Sequence, residues 1–166
     1  PRRPYKLNRL ELRICDLISD SDLLLAVTAL FELRIQSLMK NAVKYDPLEA
    51  SSLNMEELAL VTDMNDAKAA NFSLESTLTH WEDGATISCR EWIKQILVDV
   101  KPLAKELNMT SLLSPIDCIL ENGNQSMHWL RQYADGQPLQ SLLKESIHAM
   151  ELEERNFVRK QAILET

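Results

Sequence analysis

The hydrophobic pattern near the start of the chain has a period of two residues. Residues 10–16 read Leu-Glu-Leu-Arg-Ile-Cys-Asp. Successive side chains of a β-strand point to opposite faces, so this alternation predicts a strand over about residues 8–16. Leu10, Leu12 and Ile14 would share an apolar face. The opposite face would carry the polar and thiol side chains, namely Arg9, Glu11, Arg13 and Cys15.

Beyond the strand, apolar residues recur every three or four positions, which is typical of helices that face a core. The pattern predicts helices over about residues 21–44, 54–75, 88–108, 115–122, 124–134 and 138–155. Pro102 should kink or split the third helix, because proline lacks the backbone N–H. The apolar stripe of the first helix is predicted from its spacing to comprise Leu24, Val27, Phe31, Ile35 and Leu38.

Residues 77–87 lack the helical period. Asp83-Gly84 lies between two short stretches suited to strands, and this dipeptide favours tight hairpin turns. The fold class expected is therefore mainly α, with one N-terminal strand and a small hairpin. A single strand cannot satisfy its own backbone hydrogen bonds. Its sheet partners would lie outside this sequence or in another copy, so we expect residues 1–166 to form one C-terminal segment of something larger.

Composition and charge narrow the class of protein. The formal net charge of −7 argues against an electrostatic nucleic-acid partner, which requires a basic surface. No stretch approaches the roughly 18 apolar residues of a membrane span, so no membrane partner is expected. The three cysteines show no CxxC spacing, a pattern that suits reduced thiols and a cytoplasmic location.

The pair Glu11-x-Arg13 is the strongest candidate for chemistry. On a strand, the two Cα atoms lie roughly 6.6–6.8 Å apart and both side chains leave the same face. A carboxylate suits Mg²⁺, and the planar guanidinium suits a phosphoryl group. Arg9, on the same face, is a candidate substrate- or nucleotide-binding residue. On spacing alone, a salt-bridge stripe at the surface is the commoner interpretation of such a pair.

A resemblance to a known family bears on this choice. Residues 8–16, followed by a helix rich in Leu and Ala, resemble the later part of the bacterial type-2 glutamate–cysteine ligases. Those carboxylate–amine ligases have a strand of pattern Glu-x-Arg-x-x-Asp and a long helix. The likeness continues through Asn65–Leu74, Asp83-Gly84 and Cys89–Leu107, and covers about Asn8–Ala134. It implies the helical C-terminal part of an α+β glutamine-synthetase-like fold.

The resemblance also implies a reaction. ATP and Mg²⁺ would be used to convert L-glutamate to γ-glutamyl phosphate, which the amine of L-cysteine attacks to form γ-glutamylcysteine, a step of glutathione biosynthesis. Glu11 would be a metal ligand and Arg13 a catalytic contact of the transferred phosphate. Lys68 would be a substrate- or nucleotide-binding cation. The family's other metal ligands lie N-terminal to this region, so we expect the 166 residues to need that part as a partner and to be inactive alone.

Two alternatives remain open. A related carboxylate–amine ligase could use a different amine acceptor. A non-catalytic helical interaction module is the second alternative, and it is favoured if Glu11 and Arg13 pair with each other on an open surface. A homo-oligomer is compatible with each of these interpretations.

Overall fold

The computed structural model describes residues 18–41 and 44–164, and side-chain surroundings as far as residue 155. The strand predicted over residues 8–16, with Arg9, Glu11 and Arg13, lies outside the described residues. The elements are α1 (Ser21–Lys40), α2 (Pro47–Ala50), α3 (Met55–Phe72), a 3₁₀ turn (Ser73–Glu75), β1 (Thr77–Thr79), β2 (Thr86–Ser88), α4 (Cys89–Glu106), a second 3₁₀ turn (Thr110–Leu113), α5 (Ser114–Asn122), α6 (Gln125–Ala134) and α7 (Leu139–Leu164). The mainly α prediction is confirmed.

Helix α1 is the centre of the packing, in contact with α4, α5 and the second 3₁₀ turn. Its first turn is capped by Asp20, whose carboxylate accepts the N–H of Leu23 at 2.8 Å. The helix ends at Lys40, four residues earlier than predicted, where the N–H of Asn41 bonds back to the carbonyls of Ser37 and Leu38. The short helix α2, which the apolar pattern did not indicate, follows.

The buried face of α1 differs from the predicted stripe. Leu24 is 50% exposed, whereas the buried residues are Ala26, Ala29, Leu33 and Ser37. Apolar side chains lie on most sides of α1, so their spacing alone could not select one face. Small residues allow close approach of a neighbouring helix, and Ala29 and Leu33 pack against Val100, Leu103, Ala104 and Leu113. A second cluster joins Ala26 to Leu74, Ile116 and Leu120.

The predicted hairpin is present. β1 pairs antiparallel with β2, with Leu78 opposite Ile87. The turn closes when the N–H of His80 donates to the carbonyl of Ala85 at 2.7 Å. Gly84 adopts a φ of 72°, a left-handed conformation that glycine reaches without a Cβ clash.

Helices α4 and α7 also differ from expectation, in continuity and in length respectively. Helix α4 runs unbroken through Pro102, so the predicted split does not occur. Proline has no N–H, so Pro102 leaves the carbonyl of Val98 without its helical donor. Both residues are exposed, so water can reach this carbonyl. Helix α7 continues to Leu164, beyond the predicted end near residue 155.

Helix α3 has no buried residue, although it spans 18 residues. It packs on β1 and the first 3₁₀ turn. Its N-terminus carries a capping box: Asn54 accepts the N–H of Glu57 at 3.0 Å, and Glu57 accepts the N–H of Asn54 at 2.9 Å. Across residues 18–41 and 44–164, no helix has the length and apolarity of a membrane span.

Candidate functional site

A cleft of about 810 Å³ lies between the C-terminal half of α1, the segment with α2, helix α3 and the hairpin. We call it the α1–α3 cleft. Its volume falls within the roughly 300–1,000 Å³ range of small-molecule sites. Its large apolar lining residues include Leu38, Leu48, Leu58, Leu78, Trp81 and Trp92. Its chargeable lining groups are Arg34, Tyr45, Asp46 and Asp66.

The α1 side of the cleft carries positive charge around one aromatic ring. The guanidinium carbon of Arg34 lies 4.6 Å from the centroid of the Tyr45 ring, and the ammonium of Lys44 lies 4.9 Å from it. Such cation–π contacts hold a guanidinium in place. The Arg34 side chain is 21% exposed, and its Nη1 lies 3.4 Å from a carboxylate oxygen of Asp99. Among the described residues this long contact is the one hydrogen bond of the Arg34 guanidinium, which has five N–H donors.

The α3 side is held in place by Asn65. Its side-chain amide donates to the carbonyl of Thr79 and its oxygen accepts the N–H of the same residue, each at 2.8 Å. These two bonds fix α3 against the hairpin that carries Trp81. The next residue, Asp66, supplies a carboxylate to the cleft lining.

The aromatic side of the cleft is ordered by ring contacts. The His80 ring stacks on Trp81 at 6.0 Å and tilts against Trp92 at 5.0 Å. The N–H of Glu82 donates to Nδ1 of His80 at 3.3 Å, which fixes the ring's orientation. The hairpin and α4 therefore present two indole rings to one cleft.

Of the four site residues predicted from the sequence, Lys68 alone lies in the described part of the chain. It is half-buried on α3 and does not line the α1–α3 cleft. Arg9, Glu11 and Arg13 lie outside that part, so their predicted roles stay predictions. Among residues 18–41 and 44–164, no group of three or more His, Cys, Asp or Glu is placed to hold a metal ion.

Sequence reasoning missed Arg34 and Tyr45. Arg34 is one polar residue within an amphipathic helix, and no motif or spacing marks it. Tyr45 lies beyond the end of α1 and directly after the predicted helix, which extended to Lys44. Their contact depends on how the chain turns after Lys40, which is a tertiary feature.

The family model of glutamate–cysteine ligase family 2 matches residues 2–150. Two relatives from Legionella pneumophila, "Putative glutamate--cysteine ligase 2-2" of strain Corby and "Putative glutamate--cysteine ligase 2-1" of strain Lens, are each 29% identical over 138 residues, covering 83% of this chain and 35% of the relative. The chain thus spans about a third of the length of the curated relatives it matches. No solved structure matches.

The family match spans nearly the whole chain, from before the Glu11-x-Arg13 pair to the middle of α7. It includes α1 and α3, which form two sides of the cleft. The chain belongs to glutamate–cysteine ligase family 2.

Proposed function

We propose that the protein carrying this chain is an ATP- and Mg²⁺-dependent glutamate–cysteine ligase of glutathione biosynthesis, acting in the cytoplasm. The single observation that supports this most strongly is the family match over residues 2–150, which contains Glu11-x-Arg13. The substrates are L-glutamate, L-cysteine and ATP.

The reaction has two steps. The γ-carboxylate of glutamate takes the γ-phosphoryl group of ATP, which gives ADP and an acyl phosphate. The cysteine nitrogen then attacks the acyl carbon, phosphate leaves with the bonding electrons, and the nitrogen loses a proton. The product is γ-glutamylcysteine. Catalysis of such a transfer rests on positioning and on stabilising the charge of the phosphoryl oxygens.

Each proposed residue has a role suited to its chemistry. Arg13 donates a planar pair of N–H groups to the transferred phosphoryl group. Arg9 and Lys68 are cations that bind substrate or nucleotide oxygens, and Lys68 occupies a half-buried position on α3. Glu11 is the proposed Mg²⁺ ligand, because one or two carboxylates together with phosphate oxygens satisfy this ion. The bound ion would neutralise negative charge on the phosphates.

Arg13→Ala in the complete protein tests the catalytic role. We expect kcat to fall by about 10²–10³-fold, as for removal of a donor to developing charge, while the KM for cysteine changes little. The measurement is ADP release together with γ-glutamylcysteine formation. Arg155→Ala, on the exposed face of α7, is the matched control and should retain activity. An unchanged kcat in Arg13→Ala would remove Arg13 from the chemistry.

Glu11→Gln tests the metal role. Loss of one anionic ligand should raise the Mg²⁺ concentration needed for half-maximal ADP release. The control is Glu154→Gln, an exposed carboxylate on α7. If Glu11→Gln and the control titrate with Mg²⁺ identically, Glu11 is not a ligand.

The same ADP assay decides between the ligase alternatives. ADP release with an amine other than cysteine, at higher kcat/KM, would assign a different acceptor. The exposed apolar side chains of α3, including Leu60 at 60% and Phe72 at 63%, favour the other alternative, a non-catalytic interaction module. Absence of ADP release with every amino acid tested would support that module over a ligase.

A further inference from the structure

We propose that the α1–α3 cleft binds a zwitterionic amino acid with a large apolar side chain. In this complex Arg34 binds the carboxylate of the ligand and Asp66 binds the ammonium group of the ligand. The proposal rests on the described residues and stands apart from the ligase activity, because its readout is binding.

The carboxylate subsite is formed at Tyr45. Arg34 and Lys44 both approach this ring, at 4.6 Å and 4.9 Å from its centroid. A guanidinium presents parallel donors that match the two oxygens of a carboxylate. Within the part of the chain that the structure describes, Arg34 pairs with Asp99, whose side chain is 41% exposed and meets the guanidinium at 3.4 Å. Such an exposed pair is worth little, so it competes weakly with a ligand carboxylate.

The ammonium subsite is on α3. Asp66 lines the cleft beside Asn65, which is committed to its two bonds with Thr79. Asp46, the other lining carboxylate, already accepts the N–H of Leu48 at 3.0 Å as the cap of α2. Asp46 keeps acceptor capacity on its second oxygen, but Asp66 accepts no hydrogen bond among the described residues and therefore has more capacity for a ligand.

Charge balance selects a zwitterion over a simple ion. A purely anionic ligand would meet the carboxylates of Asp46 and Asp66, and a purely cationic ligand would meet the guanidinium of Arg34. Each like-charge approach in a partly desolvated cleft is unfavourable. The apolar body is favoured by the two indole rings, Trp81 and Trp92, and by Leu58 and Leu78.

Binding can be followed in the complete protein through the indole signals of this chain's three tryptophans. Trp81 and Trp92 line the α1–α3 cleft, whereas Trp129 lines a separate apolar groove beside α5. Titration with L-phenylalanine should shift the indole N–H NMR signals of Trp81 and Trp92 and leave that of Trp129 in place. The Trp129→Phe variant identifies the reference signal.

Two analogues separate the subsites. L-Phenylalaninamide lacks the carboxylate, and N-acetyl-L-phenylalanine lacks the ammonium. We expect each to bind about ten-fold more weakly than L-phenylalanine, the scale of one lost charge-assisted hydrogen bond. Arg34→Gln should abolish the preference over the amide, and Asp66→Asn the preference over the acetyl derivative. Arg155→Gln, which removes an exposed charge elsewhere, should keep both preferences.

Several outcomes would overturn the proposal: no saturable shift with L-phenylalanine, equal binding of all three probes, or a shift confined to Trp129. If Arg34→Gln loses the folded spectrum, Arg34→Lys keeps the charge and removes the paired donors. Retention of full carboxylate preference in Arg34→Lys would then refute the bidentate contact. Ligase assays do not enter this test, so its failure and failure of the proposed function are distinguishable.

Discussion

At the scale of single residues, burial has a larger effect on the pKa of the Cys89 thiol than the position of Cys89 at a helix N-terminus. It is the first residue of α4, a position where a thiolate is ordinarily favoured. Burial nevertheless raises the pKa of its thiol above the usual value, and the opposing effects of the Ser76 hydrogen bond and the Arg90 charge are smaller. The thiol therefore stays protonated at pH values where a free cysteine begins to ionise.

We expect Cys89 to react with iodoacetamide more slowly than Cys118, which is exposed. The pKa of the Cys89 thiol is higher in the folded than in the unfolded protein. The protonated thiol therefore contributes to the free energy of unfolding, and this contribution is complete at pH values below the pKa of the thiol in the unfolded protein. This contribution is lost as the pH rises through the folded value. Mass spectrometry of labelled peptides between about pH 7 and 10 measures both rates. Equal rates for the two thiols throughout this range would contradict the assignment.

At the scale of elements, α3 depends on its ends and on one side chain rather than on burial. No residue of α3 is buried, so its capping box and the contact between Asn65 and Thr79 fix its position. The capping box was readable from Asn54 and Glu57, which are three residues apart. The Asn65 contact was not readable, because it joins positions 14 residues apart through the hairpin.

Asn65→Ala should lower the free energy of unfolding by about 1–3 kcal/mol, since it leaves the N–H and the carbonyl of Thr79 without partners. Asn71→Ala is the matched control on the same helix. Among the described residues, its exposed side chain bonds to the carbonyl of Ala67 alone, one turn earlier, and alanine is the better helix former. Urea denaturation measures both variants. A loss in Asn71→Ala as large as that in Asn65→Ala would show that the contact with Thr79 is not the cause.

At the scale of the whole molecule, α1 and α4 share a deeply buried contact. Leu33 and Val100 are fully buried at this contact, together with Ala104. Their packing also positions one side of the α1–α3 cleft, because Arg34 is the next residue after Leu33. The core and the candidate ligand contact are thus adjacent on a single helix turn.

Leu33→Ala should cost about 2–5 kcal/mol of unfolding free energy, the usual range for a cavity left by a buried leucine. Leu25→Ala, on the same helix but 55% exposed, should cost far less. Thermal and urea unfolding followed by circular dichroism provide the comparison. Similar losses in the two variants would contradict the assignment of the α1 face that packs on α4.

The sequence by itself determined the mainly α class, the helix caps and the hairpin turn, because each depends on residues within a few positions of one another. The family likeness and the Glu11-x-Arg13 pair, on which the proposed function rests, were also identified from the sequence. Only the tertiary structure decided which face of α1 is buried, how Asn65 joins α3 to the hairpin, and that Arg34 and Asp66 line one cleft. These features depend on contacts between distant parts of the chain, and a local pattern of polar and apolar residues contains no distances between them.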